Sequence, residues 1–88
     1  MNEEYIMVGR VCVSRAGRDK GKYLVIVGHA DEKHVFLADG ALRMIERPKR
    51  KKLMHVTVLA DSLNQEERAS NAAIKKALAA KGYAGCKG

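Results

Sequence analysis

The sequence predicts a mainly β fold, a small five-stranded antiparallel barrel followed by a short C-terminal α-helix. Three observations support this fold class. The chain has 88 residues, which is enough for one small hydrophobic core. Short segments rich in β-branched residues follow one another at close spacing through its first two-thirds. Residues 61–82, in contrast, contain one β-branched residue, Ile74, and many alanines, which favours a helix.

Turn signals separate the predicted strands. These strands span residues 8–14, 23–27, 35–38, 42–45 and 53–59. The second segment, YLVIV, is an unbroken apolar run, which is typical of a strand buried on both faces. Residues 28–33 are polar and are predicted to connect it to the third strand. That strand ends at Asp39-Gly40, a turn dipeptide whose glycine supplies a positive φ, and Pro48 interrupts pairing before the fifth strand.

The predicted helix has one apolar stripe, formed by Ile74, Ala77 and Leu78. Its N-terminal boundary has two alternatives. Either Ser70 or Asn71 caps it, or it starts earlier, at Asn64, with Glu67 completing a capping box; Gly82 is a natural stop. We therefore expect two parts in the chain. These are a barrel over residues 5–60, and a helix with a flexible tail over residues 61–88.

The protein is expected in the cytoplasm, without membrane contact. Its opening residues, Met1-Asn2-Glu3-Glu4, are acidic, unlike the basic start of a signal peptide. No apolar run approaches the roughly 18 residues that a membrane-spanning helix needs. The two cysteines, Cys12 and Cys86, are far apart, which fits a reducing compartment.

Positive charge is the most informative feature of the composition. Seventeen lysines and arginines against ten acidic residues give a net charge of +7. Such an excess favours an anionic partner, most often nucleic acid. The cations form two clusters, of which one surrounds a glycine-bracketed loop and the other lies in the middle of the chain. The candidate binding residues are Arg15, Gly17, Arg18, Lys20, Gly21 and Lys22 in the first, and Arg43, Arg47, Lys49, Arg50, Lys51 and Lys52 in the second.

Each cluster also has a simpler interpretation as a solvated face or an ordinary tight loop. Two clusters that flank the loops of one barrel favour RNA phosphates as their ligands, because flexible cations on loops each reach one phosphate. The loop glycines allow positive φ, and backbone amides beside them are candidates for further RNA contacts.

The residue pattern gives no support to catalysis. The histidines, at positions 29, 34 and 55, have no metal-ligand spacing to one another or to a cysteine, and Cys12 is predicted to be a buried small hydrophobe. No serine lies in a nucleophile-elbow context. We therefore expect no enzyme, no catalytic residue, no metal site, no cofactor and no small-molecule substrate.

Several segments together resemble a known family. The glycine-bracketed loop and its flanking strands look like a KOW motif, which occurs in SH3-like barrels of ribosomal proteins and transcription elongation factors. The pattern as a whole is similar to the fourteen-e and twenty-seven-e families of archaeal and eukaryotic large-subunit ribosomal proteins, and to short bacterial KOW-domain proteins. The segments are residues 9–13 (GRVCV), 16–22 (AGRDKGK), 25–27 (VIV) and 36–40 (FLADG), the basic run 47–52, and His55.

This resemblance implies a barrel of the SH3-like, KOW type. It also implies that Gly17 and Gly21 are the characteristic loop glycines of the motif. The basic residues of that loop then stand where the family presents cations to RNA. These are Arg15, Arg18, Lys20 and Lys22.

The function expected from residues and resemblance together is binding of structured RNA, above all ribosomal RNA. The chain would act as a ribosomal protein or as a ribosome-associated or translation factor, with ribosomal proteins as further candidate partners. With three tyrosines, one phenylalanine and no tryptophan, it has few platforms for single-stranded bases. The alternative is a protein-interaction module that docks an acidic partner of the transcription or translation machinery. Duplex DNA is a weaker third candidate.

Overall fold

The computed structural model describes residues 8–83. Expectations about the acidic N-terminus, Cys86 and the end of the tail lie outside these residues. The strands are β1 (Arg10–Ser14), β2 (Tyr23–Asp31), β3 (His34–Ala38), β4 (Lys49–Lys52) and β5 (Val56–Ser62), and the helix is α1 (Asn71–Ala80). No helix among the described residues is long and apolar enough to span a membrane.

The strands form one antiparallel sheet with the order β4-β3-β2-β1-β5. Its two edge strands, β4 and β5, are consecutive in the chain and are joined by a 3₁₀ turn over Leu53–His55. A connection this short brings the two edges of the sheet together, so the sheet curls into a small barrel. The predicted fold class is confirmed: five antiparallel strands and one C-terminal helix.

The strand boundaries differ from the prediction in the middle of the chain. The predicted strand at residues 42–45 is wrong, because Asp39 ties this segment into a turn: its Oδ1 accepts hydrogen bonds from the amides of Ala41 and Arg43, both at 2.9 Å. The fourth strand is instead β4, the basic run itself, which begins directly after Pro48. Proline is tolerated at position 48 because this residue precedes the strand, where no backbone N–H is needed for the ladder of hydrogen bonds.

Two other boundaries also shift. β2 continues to Asp31, through part of the predicted polar connection, and its pairing with β3 changes register on either side of Gly28 and His29. Such irregularities let a strand bend while it remains paired. The first residues of the predicted fifth strand, Leu53–His55, form the 3₁₀ turn.

The apolar residues form two clusters, one on each face of the sheet. The barrel interior is one cluster, and the other lies between the outer face and α1. β2 contributes to both, since Leu24 and Ile26 are in the interior whereas Val25 faces the helix, and all three are at most 1% exposed. The prediction of a strand buried on both faces is confirmed.

The helix forms as its local pattern predicts. Ser70 is the N-cap, and its Oγ accepts a hydrogen bond from the amide of Ala73 at 3.1 Å. Ile74, Ala77 and Leu78 are buried against the sheet. The alternative start upstream does form its reciprocal capping hydrogen bonds, Asn64 with Glu67 at 2.8 and 2.9 Å, but they close a turn and not the helix.

The start of α1 is packed against the connection between β3 and β4, residues 39–48. Gly40 has φ +80°, and a Cβ there would collide with the carbonyl oxygen of Asn71, so the backbones touch at this point. The Asn71 side chain accepts a hydrogen bond from the Ile45 amide at 2.8 Å and donates one to Glu46 at 2.9 Å. The helix thereby fixes the connection that carries Arg43 and Arg47.

Candidate nucleic-acid interface

The topology places the first basic cluster and the beginning of the second, as far as Lys49, at the same end of the barrel. In an antiparallel series β1-β2-β3-β4, the β1–β2 loop and the β3–β4 connection lie at one end, and the β2–β3 hairpin lies at the other. Residues 15–22 and 39–48 are therefore neighbours although they are distant in sequence. We call the cations at this end the basic rim. Its members are Arg15, Arg18, Lys20, Lys22, Arg43, Arg47 and Lys49.

A cavity of about 310 Å³ shows that the clusters meet. Arg18 and Lys22 from the β1–β2 loop line it together with Arg43 from the β3–β4 connection. Its remaining lining residues are Asp19, Leu24, Asp39 and Leu42. Three cations from two separate clusters thus surround one concave site.

The rim cations are available for an external anion. Within residues 8–83, none of them lies within 4 Å of a carboxylate, whereas four other basic side chains do. Arg15, Arg18 and Lys20 are exposed, and Lys22 and Arg43 are half-buried. A dense group of unpaired cations at one end of a small domain is typical of a phosphate-binding surface.

The glycines of the β1–β2 loop have the expected conformation. Gly17 has φ +83° and Gly21 has φ +87°. The amides of Lys20 and Gly21 donate within the loop, to Gly17 O at 3.2 Å and to Ser14 O at 2.8 Å. Lys20 and Gly21 therefore have no free backbone amide for RNA, and their part of the loop can contact RNA through the Lys20 side chain.

Substituting Gly21 by valine should cost about 1–2 kcal/mol in the free energy of unfolding, because a β-branched residue is strained at positive φ. No atom lies within 4 Å of the position that a Cβ would take, so the strain is confined to the backbone. Chemical denaturation of the variant and wild type measures this loss. An unchanged midpoint would show that the loop has no need of positive φ at this residue.

Lys51 differs from the other cations of the basic run. Its side chain is 8% exposed, and its Nζ lies 2.8 Å from Asp19 Oδ1 and donates to the carbonyl oxygen of Ala16 at 2.8 Å. The hydroxyl of Ser14 donates to the same Asp19 oxygen at 3.1 Å. Lys51 therefore ties β4 to the β1–β2 loop, so the phosphate contact predicted at this position falls on a side chain that is buried in an ion pair.

Asp19 remains a carboxylate in this network. Burial alone would raise its pKa, but the hydrogen bonds from Lys51 and Ser14 outweigh burial and hold the pKa below its usual value. The contact with Lys51 is thus a buried ion pair at neutral pH. It fixes the β1–β2 loop from which Arg18 and Lys22 project.

The basic run of β4 is divided between two faces, because successive residues of a strand point to opposite sides. Lys49 and Lys51 share one side, and Arg50 and Lys52 share the other. Arg50 approaches Asp31 at 3.4 Å, and a hydrogen bond from His34 lowers the pKa of Asp31 to about 2. The run is therefore not one continuous phosphate-binding surface, although sequence alone presents it as one.

Two residues that matter to this site were not among the predicted ones. Leu42 is 71% exposed at the cavity, and Asp19 organises the loop from its buried position. The exposure of Leu42 has a local signal in the sequence, because this leucine lies in a turn directly before a basic residue. The role of Asp19 has no local signal, since its partner Lys51 is 32 positions away.

The described part of the chain contains no group of three or more His, Cys, Asp or Glu side chains suited to a metal ion. Cys12 is fully buried in the barrel interior, as predicted. Burial raises the pKa of its thiol to about 12, and the negative charge of Asp19 acts in the same direction. The thiol therefore stays protonated and unreactive at neutral pH.

Comparison with known proteins identifies the family. No protein-family model matches the chain. A relative from Hyperthermus butylicus, named large ribosomal subunit protein eL14, is 34% identical over 73 residues, which cover 83% of this chain and 74% of the relative. A protein of the same name from Aeropyrum pernix is 32% identical over 79 residues, covering 90% of this chain and 79% of the relative. The chain therefore belongs to the eL14 family of large ribosomal subunit proteins.

Proposed function

We propose that the protein binds structured ribosomal RNA through the basic rim, as a cytoplasmic ribosomal protein or ribosome-associated factor. The observation that carries the proposal is the convergence of two separate basic clusters on one end of the barrel, around a shared cavity. The relatives are named as ribosomal proteins, which makes ribosomal RNA the anionic partner of choice. The proposal includes no catalysis, cofactor or small-molecule substrate.

Phosphates and RNA shape, not stacked bases, supply most of the binding energy in this proposal. The described tyrosines pack against each other, with ring centroids of Tyr23 and Tyr83 4.8 Å apart, and Tyr83 donates a hydrogen bond to Asp61. Both rings also contact the core cluster beneath α1. They are therefore committed to the fold and provide no platform for single-stranded RNA.

The proposal assigns direct phosphate contacts to fewer residues than the sequence analysis named. The loop cations and those of the β3–β4 connection form the centre, and Lys49 extends the surface onto β4. Arg50 and Lys52 lie on the other side of β4, and Lys52 is paired with His34 near the opposite end of the barrel, so the proposal gives neither of them a central phosphate contact. Lys51 acts indirectly, because its ion pair holds the loop in place.

Titration of the full chain with a structured ribosomal RNA fragment tests the proposal. The logarithm of the binding constant should fall with the logarithm of salt concentration with a slope on the order of −3 to −6, since several phosphates are neutralised. Excess structured ribosomal RNA should abolish binding of the labelled fragment. Absence of binding at low salt would contradict the proposal.

Competition separates RNA from the alternative, an acidic protein partner. Binding to either partner should weaken as salt is added, so salt dependence does not distinguish RNA from an acidic protein. RNA binding at the rim should survive an excess of an unrelated acidic protein, because such a protein does not reproduce the regular spacing of phosphates. Displacement of the RNA by equimolar acidic protein would favour the interaction module.

A further inference from the structure

We propose that the cavity between the two loops accommodates one unpaired nucleotide extruded from an RNA helix, so that the protein prefers a duplex with a bulge to a continuous duplex. This inference rests on the proposed function and specifies its substrate. The cavity, about 310 Å³, is at the lower end of the range of small-molecule pockets, roughly 300–1,000 Å³. It has room for a nucleotide and none for a helix.

The walls of the cavity match the two parts of a nucleotide. Arg18, Lys22 and Arg43 supply positive charge for a phosphate, and Leu42 supplies apolar contact for the face of a base. Leu42 is 71% exposed, whereas Leu24, the other apolar lining residue, is 1% exposed and belongs to the barrel interior. A single exposed leucine is ordinary on a protein surface. This one lines a cavity together with three cations, and apolar side chains pack against the face of a flipped base, which points to a base as its partner.

The two carboxylates in the cavity wall do not cancel its charge. Asp19 is neutralised by Lys51, at 2.8 Å. Asp39 keeps its negative charge, although the amides of Ala41 and Arg43 donate to its Oδ1. With Asp19 paired to Lys51, three cations of the cavity stand against one carboxylate, so the cavity keeps a net positive charge for an incoming phosphate.

The nucleotide must come from RNA that leaves it unpaired. Extracting a paired base costs a few kcal/mol, and this cost is smallest where the base has no partner. A bulge within a helix also places continuous phosphates on both sides, within reach of the exposed cations Arg15 and Lys20. This arrangement uses the cavity and the surrounding rim at once.

The test compares two RNA duplexes that differ by one bulged nucleotide, titrated with the full chain and with two variants. Wild type should bind the bulged duplex about tenfold more tightly than the continuous one. Leu42→Ala should lose this preference while it still binds the continuous duplex. Met54→Ala is the control, because it truncates an apolar residue that is 68% exposed at the other end of the barrel. This variant should keep the preference for the bulged duplex.

The outcomes separate this inference from the proposed function. Equal binding of both duplexes by wild type, or a preference that Leu42→Ala retains, overturns the inference and leaves RNA binding by the rim intact. Failure to bind either duplex overturns both. A free mononucleotide should bind at least about a hundredfold more weakly than the bulged duplex, since it meets the cavity alone; tighter binding would assign the cavity to a soluble nucleotide and overturn the inference.

Discussion

Replacing Lys51 by methionine should lower the free energy of unfolding by about 3 kcal/mol, because the substitution leaves Asp19 charged and buried without its partner. For a domain of this size the melting temperature should fall by roughly 12–24 °C. Circular dichroism during thermal and urea unfolding measures both quantities. The carbonyl oxygen of Ala16 also loses its donor, which adds to the cost.

Two further variants make this expectation specific. Lys52→Met removes a neighbouring but exposed lysine from the same strand and should change stability by no more than about 0.5 kcal/mol. The double variant Asp19→Leu/Lys51→Met removes both charges and should recover most of the loss, because apolar replacement of a whole buried pair is often neutral. Equal melting temperatures for Lys51→Met and Lys52→Met would show that the ion pair does not stabilise the fold.

The ion pair between Asp19 and Lys51 also makes the free energy of unfolding depend on pH. Since the folded-state pKa of Asp19 is below the unfolded value, the unfolded chain binds more protons between these two pKa values, and stability rises with pH across that window. The contribution is complete above the unfolded pKa, near 4, and is lost as pH falls through the folded one. Asp31 and Glu46 also have lowered pKa values, so the difference between wild type and the double variant isolates the part that belongs to Asp19.

Local patterns account for the elements that the sequence predicts well. The helix is specified by a cap at Ser70 and by an apolar stripe within a few residues of it, and both are read without knowledge of the rest of the fold. β2 is equally clear, because burial on both faces produces an unbroken apolar run. Gly17 and Gly21 also follow from local geometry, since a tight loop between two strands requires positive φ.

β4 shows where local patterns fail. Four consecutive basic residues have little intrinsic preference for a strand, and their composition predicts a solvated loop. They form a strand because the backbone of β3 offers a free edge, and charged side chains protect such an edge from pairing with other chains. The burial of Lys51 depends on Asp19, which only the closed barrel brings near. The meeting of the two basic clusters is likewise a product of topology and not of sequence spacing.

Reversing one charge in each cluster should have the largest effect on function. The double variant Arg18→Glu/Arg43→Glu should weaken binding to structured ribosomal RNA by about a hundredfold at moderate salt, because it places two carboxylates in the cavity where phosphate is expected. The slope of the salt dependence should also become shallower, as fewer counterions are released. Reversal of the whole run Lys49–Lys52 is a poorer test, since it includes the buried Lys51 and would destabilise the fold.

The matched control reverses two charges elsewhere. Lys33→Glu/Lys76→Glu alters the net charge equally, but Lys33 lies at the β2–β3 hairpin and Lys76 on an exposed part of α1. Both double variants should keep the wild-type melting temperature within about 3 °C, since none of the four side chains forms an ion pair among residues 8–83. If net charge alone governed binding, the two variants would lose affinity to the same extent. A loss confined to the rim variant requires that these particular cations, held side by side by the β1–β2 loop and the β3–β4 connection, contact the RNA.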